Sequence, residues 1–251
     1  MITASNLSKN FGGKTAVNNI NISVKKGELF AYLGPNGSGK STTIKMLMGL
    51  IEPTEGTVEI LGEPMNLNNI ELKRKISFVP DTPDIIGKLT GNEYLNFVAS
   101  IYKMDKTAYT EKRKELVNMF ELQDDLGTLV EEYSHGMRQK LVVIGALMHS
   151  PEVIFLDEPN VGLDPKSNRE LKNYLTDYVK QGNTVFLTTH TLSLAEEIAD
   201  RICIIYKGEI KALGTLEELG EQTGSDRKTL EDIFLALTSE EDVHVQEHTE
   251  S

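Results

Sequence analysis

An α/β fold is predicted by three observations on this 251-residue chain. Segments rich in β-branched residues alternate with helix-like segments over most of its length. A largely apolar run, Glu28 to Leu33, empties into a glycine-rich turn that opens a helix-like stretch. A second apolar run, Val153 to Leu156, ends in two adjacent acids. Runs of this kind suit strands buried on both faces, as in a parallel sheet covered by helices.

Taken in order, Thr15 to Val24 alternates apolar and polar residues, as a half-buried strand does. Glu28 to Leu33 reads as a fully buried strand. Thr42 to Leu50 reads as a helix with Ile44, Leu47 and Met48 on one face. From about residue 90 to 149 no strand pattern stands out. Helical patterns fill that stretch instead, over Glu93 to Tyr102, Ala108 to Leu122 and Met137 to His149. It is read as a helical subdomain inserted in the sheet core. Strands resume at Val153 to Leu156, Thr184 to Leu187 and Ile202 to Tyr206, and a short amphipathic helix, Leu230 to Leu237, closes the fold. One domain is expected over 1–238. An acidic tail, 239–251, carries Glu240, Glu241, Asp242, Glu247 and Glu250 and is expected to be solvated and frayed.

Composition narrows the function. Hydrophobic residues at 39% and charged residues at 25% fit a soluble, well-cored protein. The longest apolar run, Leu141 to Met148, falls far short of the roughly 18 residues that cross a bilayer. The opening MITASNLSKN lacks the basic-then-apolar order of a secretory signal. One cysteine, Cys203, excludes an internal disulfide and any cysteine-based metal site; between Ile202 and Ile204 it reads as a buried strand position. An intracellular protein is expected. The net charge of −12 argues against general nucleic-acid binding, so no nucleic-acid partner is expected.

The strongest chemical signal is Gly34-Pro35-Asn36-Gly37-Ser38-Gly39-Lys40-Ser41, a full match to the phosphate-binding pattern G-x-x-x-x-G-K-[ST]. Its glycines permit backbone angles that turn successive amide groups toward a polyphosphate. The helix that follows, from Thr42, aims its positive end at the same anion. Lys40 would reach the β- and γ-phosphates, and the Ser41 hydroxyl would ligate Mg²⁺. Contacts to a bound nucleotide, ATP on the resemblance given below, are expected from Asn36, Gly37, Ser38, Gly39, Lys40, Ser41 and Thr42.

Such a loop also serves kinases and GTPases, and the positioning of the nucleophile separates these classes. Asp157 and Glu158 end a buried strand, which puts them at the carboxyl edge of the sheet, where open α/β sheets bind ligands. Asp157 would hold the metal shell and Glu158 would act as general base on the attacking water. The bland alternative is a pair of surface acids after a strand. His190, at the end of Thr184 to Thr189, would share that edge and reach the γ-phosphate.

The chain resembles the nucleotide-binding subunits of ATP-binding-cassette transporters over about residues 1–237. Tyr133-Ser134-His135-Gly136-Met137-Arg138-Gln139-Lys140 stands where that family carries its Leu-Ser-Gly-Gly-Gln signature. The resemblance implies a P-loop NTPase sheet core, an N-terminal antiparallel β subdomain and a helical signature-bearing subdomain. It implies that Ser134 and Gly136 contact the γ-phosphate held by an opposite subunit, with Asp164 of Gly162-Leu163-Asp164-Pro165 communicating across the dimer. Phe11 matches the aromatic that stacks on adenine, and His190 matches the switch histidine. ATP and Mg²⁺ are the implied cofactors. The implied partners are a separate transmembrane permease and a second cassette, identical or paralogous. The implied place is cytoplasmic, peripheral on the inner face of the cell membrane.

Three positions depart from the family pattern. His135 and Met137 replace the first Gly and the Gln of the signature. Asp81 stands where the family usually has a Gln that touches Mg²⁺. Aspartate can supply an oxygen, though from a shorter, charged side chain. The Tyr-Ser-x-Gly-Met-Arg-Gln wording and the ending Leu230 to Thr238 are similar to bacterial exporters of drugs, peptides or lipids. Cassettes acting on ribosomes or DNA carry paired cassettes or long coiled coils, neither of which is found here. A regulatory module without turnover fits poorly with Lys40, Asp157, Glu158 and His190 all in place.

Overall fold

A computed structural model describes residues 1–223 and 229–247, the stretch from 239 by backbone alone. Among these residues the elements run β1 (Ile2–Phe11), β2 (Lys14–Val24), β3 (Leu29–Leu33), α1 (Lys40–Leu47), β4 (Glu55–Ile60), β5 (Glu63–Pro64), α2 (Ile70–Lys73) and β6 (Ile76–Val79). They continue α3 (Gly91–Ile101), α4 (Lys106–Met119), α5 (His135–Met148), β7 (Val153–Asp157), α6 (Pro165–Lys180), β8 (Thr184–Thr189) and α7 (Leu192–Ile198). β9 (Arg201–Tyr206), β10 (Glu209–Gly214), α8 (Leu216–Gln222) and α9 (Leu230–Glu247) complete the order. The chain forms two compact units, Met1–Asn69 with Phe186–Ser251, and Ile70–Val185.

In the first unit β1 pairs antiparallel with β2 (Ile2 opposite Val24) and with β4 (Ile2 opposite Ile60), giving a four-stranded antiparallel sheet in the order β2-β1-β4-β5. The antiparallel subdomain expected at the N-terminus is therefore present. β1 itself shows no clean alternation in the sequence. Its register slips between Ala4 and Leu7, where Asn6 adopts a left-handed φ of 51° and donates its N–H to Asn21 Oδ1 at 2.9 Å. Such a bulge breaks the period of two.

All five residues of β3 are buried, and β3 runs parallel to β9, with Phe30 opposite Arg201 and Leu33 opposite Ile204. Phe186 from β8 packs its ring 5.5 Å from those of Phe30 and Tyr32. Ala31, Leu33, Ile202 and Ile204 share a core with Ala195, Leu219, Leu230 and Ile233 of helices α7, α8 and α9. Cys203 is fully buried in β9, and burial pushes its thiol pKa far up, so it packs as a small apolar residue. α9 extends beyond the short closing helix read from the sequence. The side chains of the acidic end, 239–251, lie outside the described residues.

In the second unit β6 lies parallel to β7, from Ile76 opposite Val153 to Val79 opposite Leu156. The stretch read as helical holds α3, α4 and α5, with an isolated bridge between Thr90 and Leu129 and a 3-10 turn at Val130–Glu132. Each helix opens on the residue chemistry that favours a start. Thr90 forms a capping box with Glu93, Asp105 accepts from Thr107 N and Ala108 N, and Ser134 accepts from Met137 N. α5 is buried from Leu141 to Met148, which accounts for the apolar run that is too short for a membrane. No helix among the described residues is long and apolar enough to cross a membrane.

Candidate nucleotide-binding site and signature loop

The phosphate loop leaves the buried strand β3 and enters α1 at Lys40, two residues ahead of the start read from the sequence. Its glycines are needed for two different reasons. A Cβ on Gly34 would lie 2.4 Å from the Ile205 carbonyl oxygen, so only glycine lets the loop pass β9. Gly39 has φ 110°, and a Cβ there would lie 2.6 Å from the Ala16 carbonyl oxygen of β2. Gly39 also stands at the helix N-cap with no side chain to cap α1, which leaves that positive end to a bound anion. Gly37, at φ 80°, has open space where a Cβ would be.

Lys40 is buried, and its Nζ donates to the carbonyl oxygens of Gly34 at 2.7 Å and Pro35 at 3.3 Å. The ammonium is thus folded back across the loop it would share with phosphate. Ser41 is exposed at the second residue of α1, Thr42 is half-buried, Asn36 is exposed and Ser38 is buried. Ala16, which Gly39 touches, lies two residues along β2 from Lys14, and Lys14 pairs with Phe11. At about 3.4 Å per residue the hairpin end is roughly 7 Å further along. Phe11 is 51% exposed there, with Lys9 Nζ over its ring at 5.1 Å from the centroid.

In the second unit β7 ends at Asp157, buried like the four residues before it. Glu158 follows, 8% exposed, with a left-handed φ of 49°. A non-glycine residue in that region carries strain of about 1 kcal/mol or more, a feature common at functional sites. β6 ends at Val79, opposite Leu156, so Asp81 stands two residues past the end of β6 and Glu158 one residue past the end of β7. Asp81 is exposed. Asp157, Asp81 and Ser41 all offer hard oxygen donors of the kind Mg²⁺ takes. Among the described residues no group of three or more His, Cys, Asp or Glu could hold a metal alone. His190, just past β8, is exposed.

The signature loop opens α5. Ser134 is exposed at the N-cap, its Oγ accepting from Met137 N at 3.2 Å. Arg138 donates to the carbonyl oxygens of Val130 at 3.1 Å and Glu131 at 2.8 Å, which fixes the approach to the helix. The structure brings this loop onto the Glu158–Asp164 segment. A Cβ on Gly136 would meet the Gly162 carbonyl oxygen at 2.6 Å, and one on Gly162 (φ 83°) would meet the His135 ring at 2.4 Å. Asp164 caps α6, accepting from Ser167 N at 2.9 Å, and pairs with Lys140 Nζ at 2.7 Å. The Lys140 ammonium, then the Ser167 amide, hold the Asp164 carboxyl well below the usual carboxylate range.

Lys140 and Gly162 therefore do work that the sequence reading gave no role. Both stood inside quoted motifs, but only the folded chain sets a residue of α5 beside the start of α6.

The pattern that defines the ABC transporter family matches residues 17–161, more than half of the chain, and the chain belongs to that family. It is 35% identical over 240 residues to the probable multidrug ABC transporter ATP-binding protein YbhF of Escherichia coli (strain K12). That match takes in 94% of this chain but only 41% of the relative, so the chain spans less than half of YbhF. Among solved structures, an ATP-binding subunit of an ABC transporter superposes with a TM-score of 0.91 at 31% identity, over 95% of this chain and 99% of the other. The ATP-binding cassette MJ0796, in a dimeric post-hydrolysis state bound to ADP and Pi, superposes at 0.78 with 29% identity, over 86% and 99%.

Proposed function

We propose that the chain is the ATP-hydrolysing subunit of a membrane exporter, working as a head-to-tail pair of cassettes. One observation carries the reading. Two helices, α1 behind the glycine-rich loop ending at Gly39 and α5 behind Ser134 with Gly136 in its first turn, present their N-termini, each suited to a phosphate. One loop holds the nucleotide and the other is free to face the nucleotide of a second cassette.

In this mechanism the loop amides from Asn36 to Thr42 and the Lys40 ammonium bind the β- and γ-phosphates, while Phe11 stacks on adenine. Mg²⁺, when bound, neutralises phosphate charge; Ser41 and Asp157 would hold it, with Asp81 as a further oxygen donor. Glu158 takes a proton from the attacking water as the water's oxygen bonds to the γ-phosphorus and the bond to ADP breaks. His190 contacts the γ-phosphate. Ser134, Gly136 and Asp164 of the opposite cassette complete the site. ATP stabilises the closed pair by mass action, and its hydrolysis loosens the pair.

A separate transmembrane permease converts that motion into transport, which places the chain at the inner face of the cell membrane. The name of YbhF, a probable multidrug ABC transporter ATP-binding protein, supports a drug-like cargo. The fold that superposes on MJ0796 supports pairing of cassettes. No nucleic acid takes part. The test is steady-state Mg-ATPase of the purified chain beside Glu158→Gln. Turnover lost by at least a hundredfold in the variant supports the assignment; equal turnover in both removes Glu158 from it.

A further inference from the structure

Gln139 is 0% exposed, and neither its Nε2 nor its Oε1 meets a hydrogen-bond partner among the described residues. A buried primary amide is a costly group to leave unsatisfied, and native folds seldom do so without a reason. Its setting suggests the reason. On α5, residues three and four apart share a face, so Gln139 and Lys140 both lie one turn beyond Gly136. Both neighbours touch the loop after β7: Gly136 abuts the Gly162 carbonyl, and Lys140 pairs with Asp164 at 2.7 Å. Long side chains on a helix lean back over the preceding turn. That lean would carry the Gln139 amide over Gly136, which has no side chain to block it and which abuts that loop.

The loop itself has the marks of a segment with a second arrangement. It starts at Glu158 in a left-handed conformation unusual for glutamate, and turns again at Gly162 with φ 83°.

We infer that Gln139 is a positioning residue: its amide waits unpaired in this form and is paired by peptide groups of the Glu158–Asp164 loop when ATP closes the site. That pairing favours the closed form over the open one, and it carries the signature helix and the general base into one arrangement. The inference rests on the ATPase reading given above.

The test is Gln139→Met, which keeps the volume and removes the amide. Thermal unfolding of the nucleotide-free chain, kcat and the KM for ATP are measured beside the wild type. The variant is expected to melt roughly 3 °C or more higher, because it sheds an unsatisfied buried group. Its kcat is expected to fall about five- to tenfold with KM for ATP within a factor of about two, since Gln139 is not on the phosphate loop. A more stable variant with unchanged kcat overturns the role, because the amide is then idle. A less stable variant overturns it too, because the amide is then already paired at rest. A wild-type chain without turnover contradicts the ATPase reading at the first measurement, and the role falls with it. Turnover in the wild type with any other outcome isolates the failure to Gln139.

Discussion

Lys140 Nζ stands 2.7 Å from the Asp164 carboxylate, so a residue of the signature helix is tied to the residue that caps the next long helix. Lys140 keeps 14% of its side-chain exposure and Asp164 47%, so solvent screening holds the pair to about 1 kcal/mol or less. Asp164→Asn retains a good helix cap and loses the charge pair; Asp164→Ala loses both. Thermal unfolding near neutral pH should place Asn roughly 2–4 °C below the wild type and Ala about 1 kcal/mol lower still. The folded state depresses the Asp164 pKa, so its stabilising effect is present above the unfolded value near 3.8 and is lost as pH falls below it. The gap between wild type and Asp164→Asn should therefore close in strong acid.

A second expectation concerns the contact between His135 and Gly162. Gly162→Ala meets both a left-handed φ of 83° and the His135 ring at 2.4 Å. The backbone part costs about 1 kcal/mol whatever the neighbour, and the clash adds to it. In a His135→Ala background only the backbone part should remain. Urea unfolding of the four proteins of this cycle measures the coupling, expected at about 1 kcal/mol or more.

The phosphate loop gives a third. Gly39→Ala places a Cβ 2.6 Å from the Ala16 carbonyl oxygen at φ 110°. The loop must then shift off β2. ATP affinity, followed by a fluorescent nucleotide, should fall by at least tenfold. An unchanged affinity would mean that the loop accepts nucleotide in another shape.

Acid sensitivity supplies a fourth. His149 caps α5 and stacks on Tyr102 at the end of α3, ring centroids 3.5 Å apart. Burial is the main cause that brings its pKa down to about 4. The fold accepts the neutral ring, so this contribution is complete above the unfolded value near 6.5 and drains as pH falls toward 4. Its full size is at most about 3 kcal/mol. His149→Phe keeps a ring and removes the proton, so it should lose less stability than the wild type between pH 6.5 and 4.

The legible parts of the molecule were those with unbroken local signals. The phosphate loop, the apolar strands β3, β7, β8 and β9, and helices α3 to α5 could be placed to within a few residues because each carries its own period or motif. β1 was not, since the bulge at Asn6 shifts its alternation midway. β6 is only Ile76–Val79, too short for a period to register. α6 was missed despite real cues: the Asp164 cap, Pro165 in the first turn, and Leu171, Leu175 and Tyr178 on one buried face. The candidate site residues were singled out by motif order alone. The Lys140–Asp164 pair, the close approach of Gly136 to Gly162 and the buried amide of Gln139 were not, because they join segments separated by more than twenty residues of chain or depend on burial.

In the proposed mechanism ATP holds two copies together through Ser134 and Gly136 of one and the phosphate loop of the other. The most direct measurement is the mass in solution of Glu158→Gln with and without ATP, repeated with Ser134→Arg added. A monomer that becomes a dimer with ATP, and fails to do so when Ser134 is replaced, is the expected result. A mass indifferent to ATP, or a dimer that persists with Ser134→Arg, would contradict it.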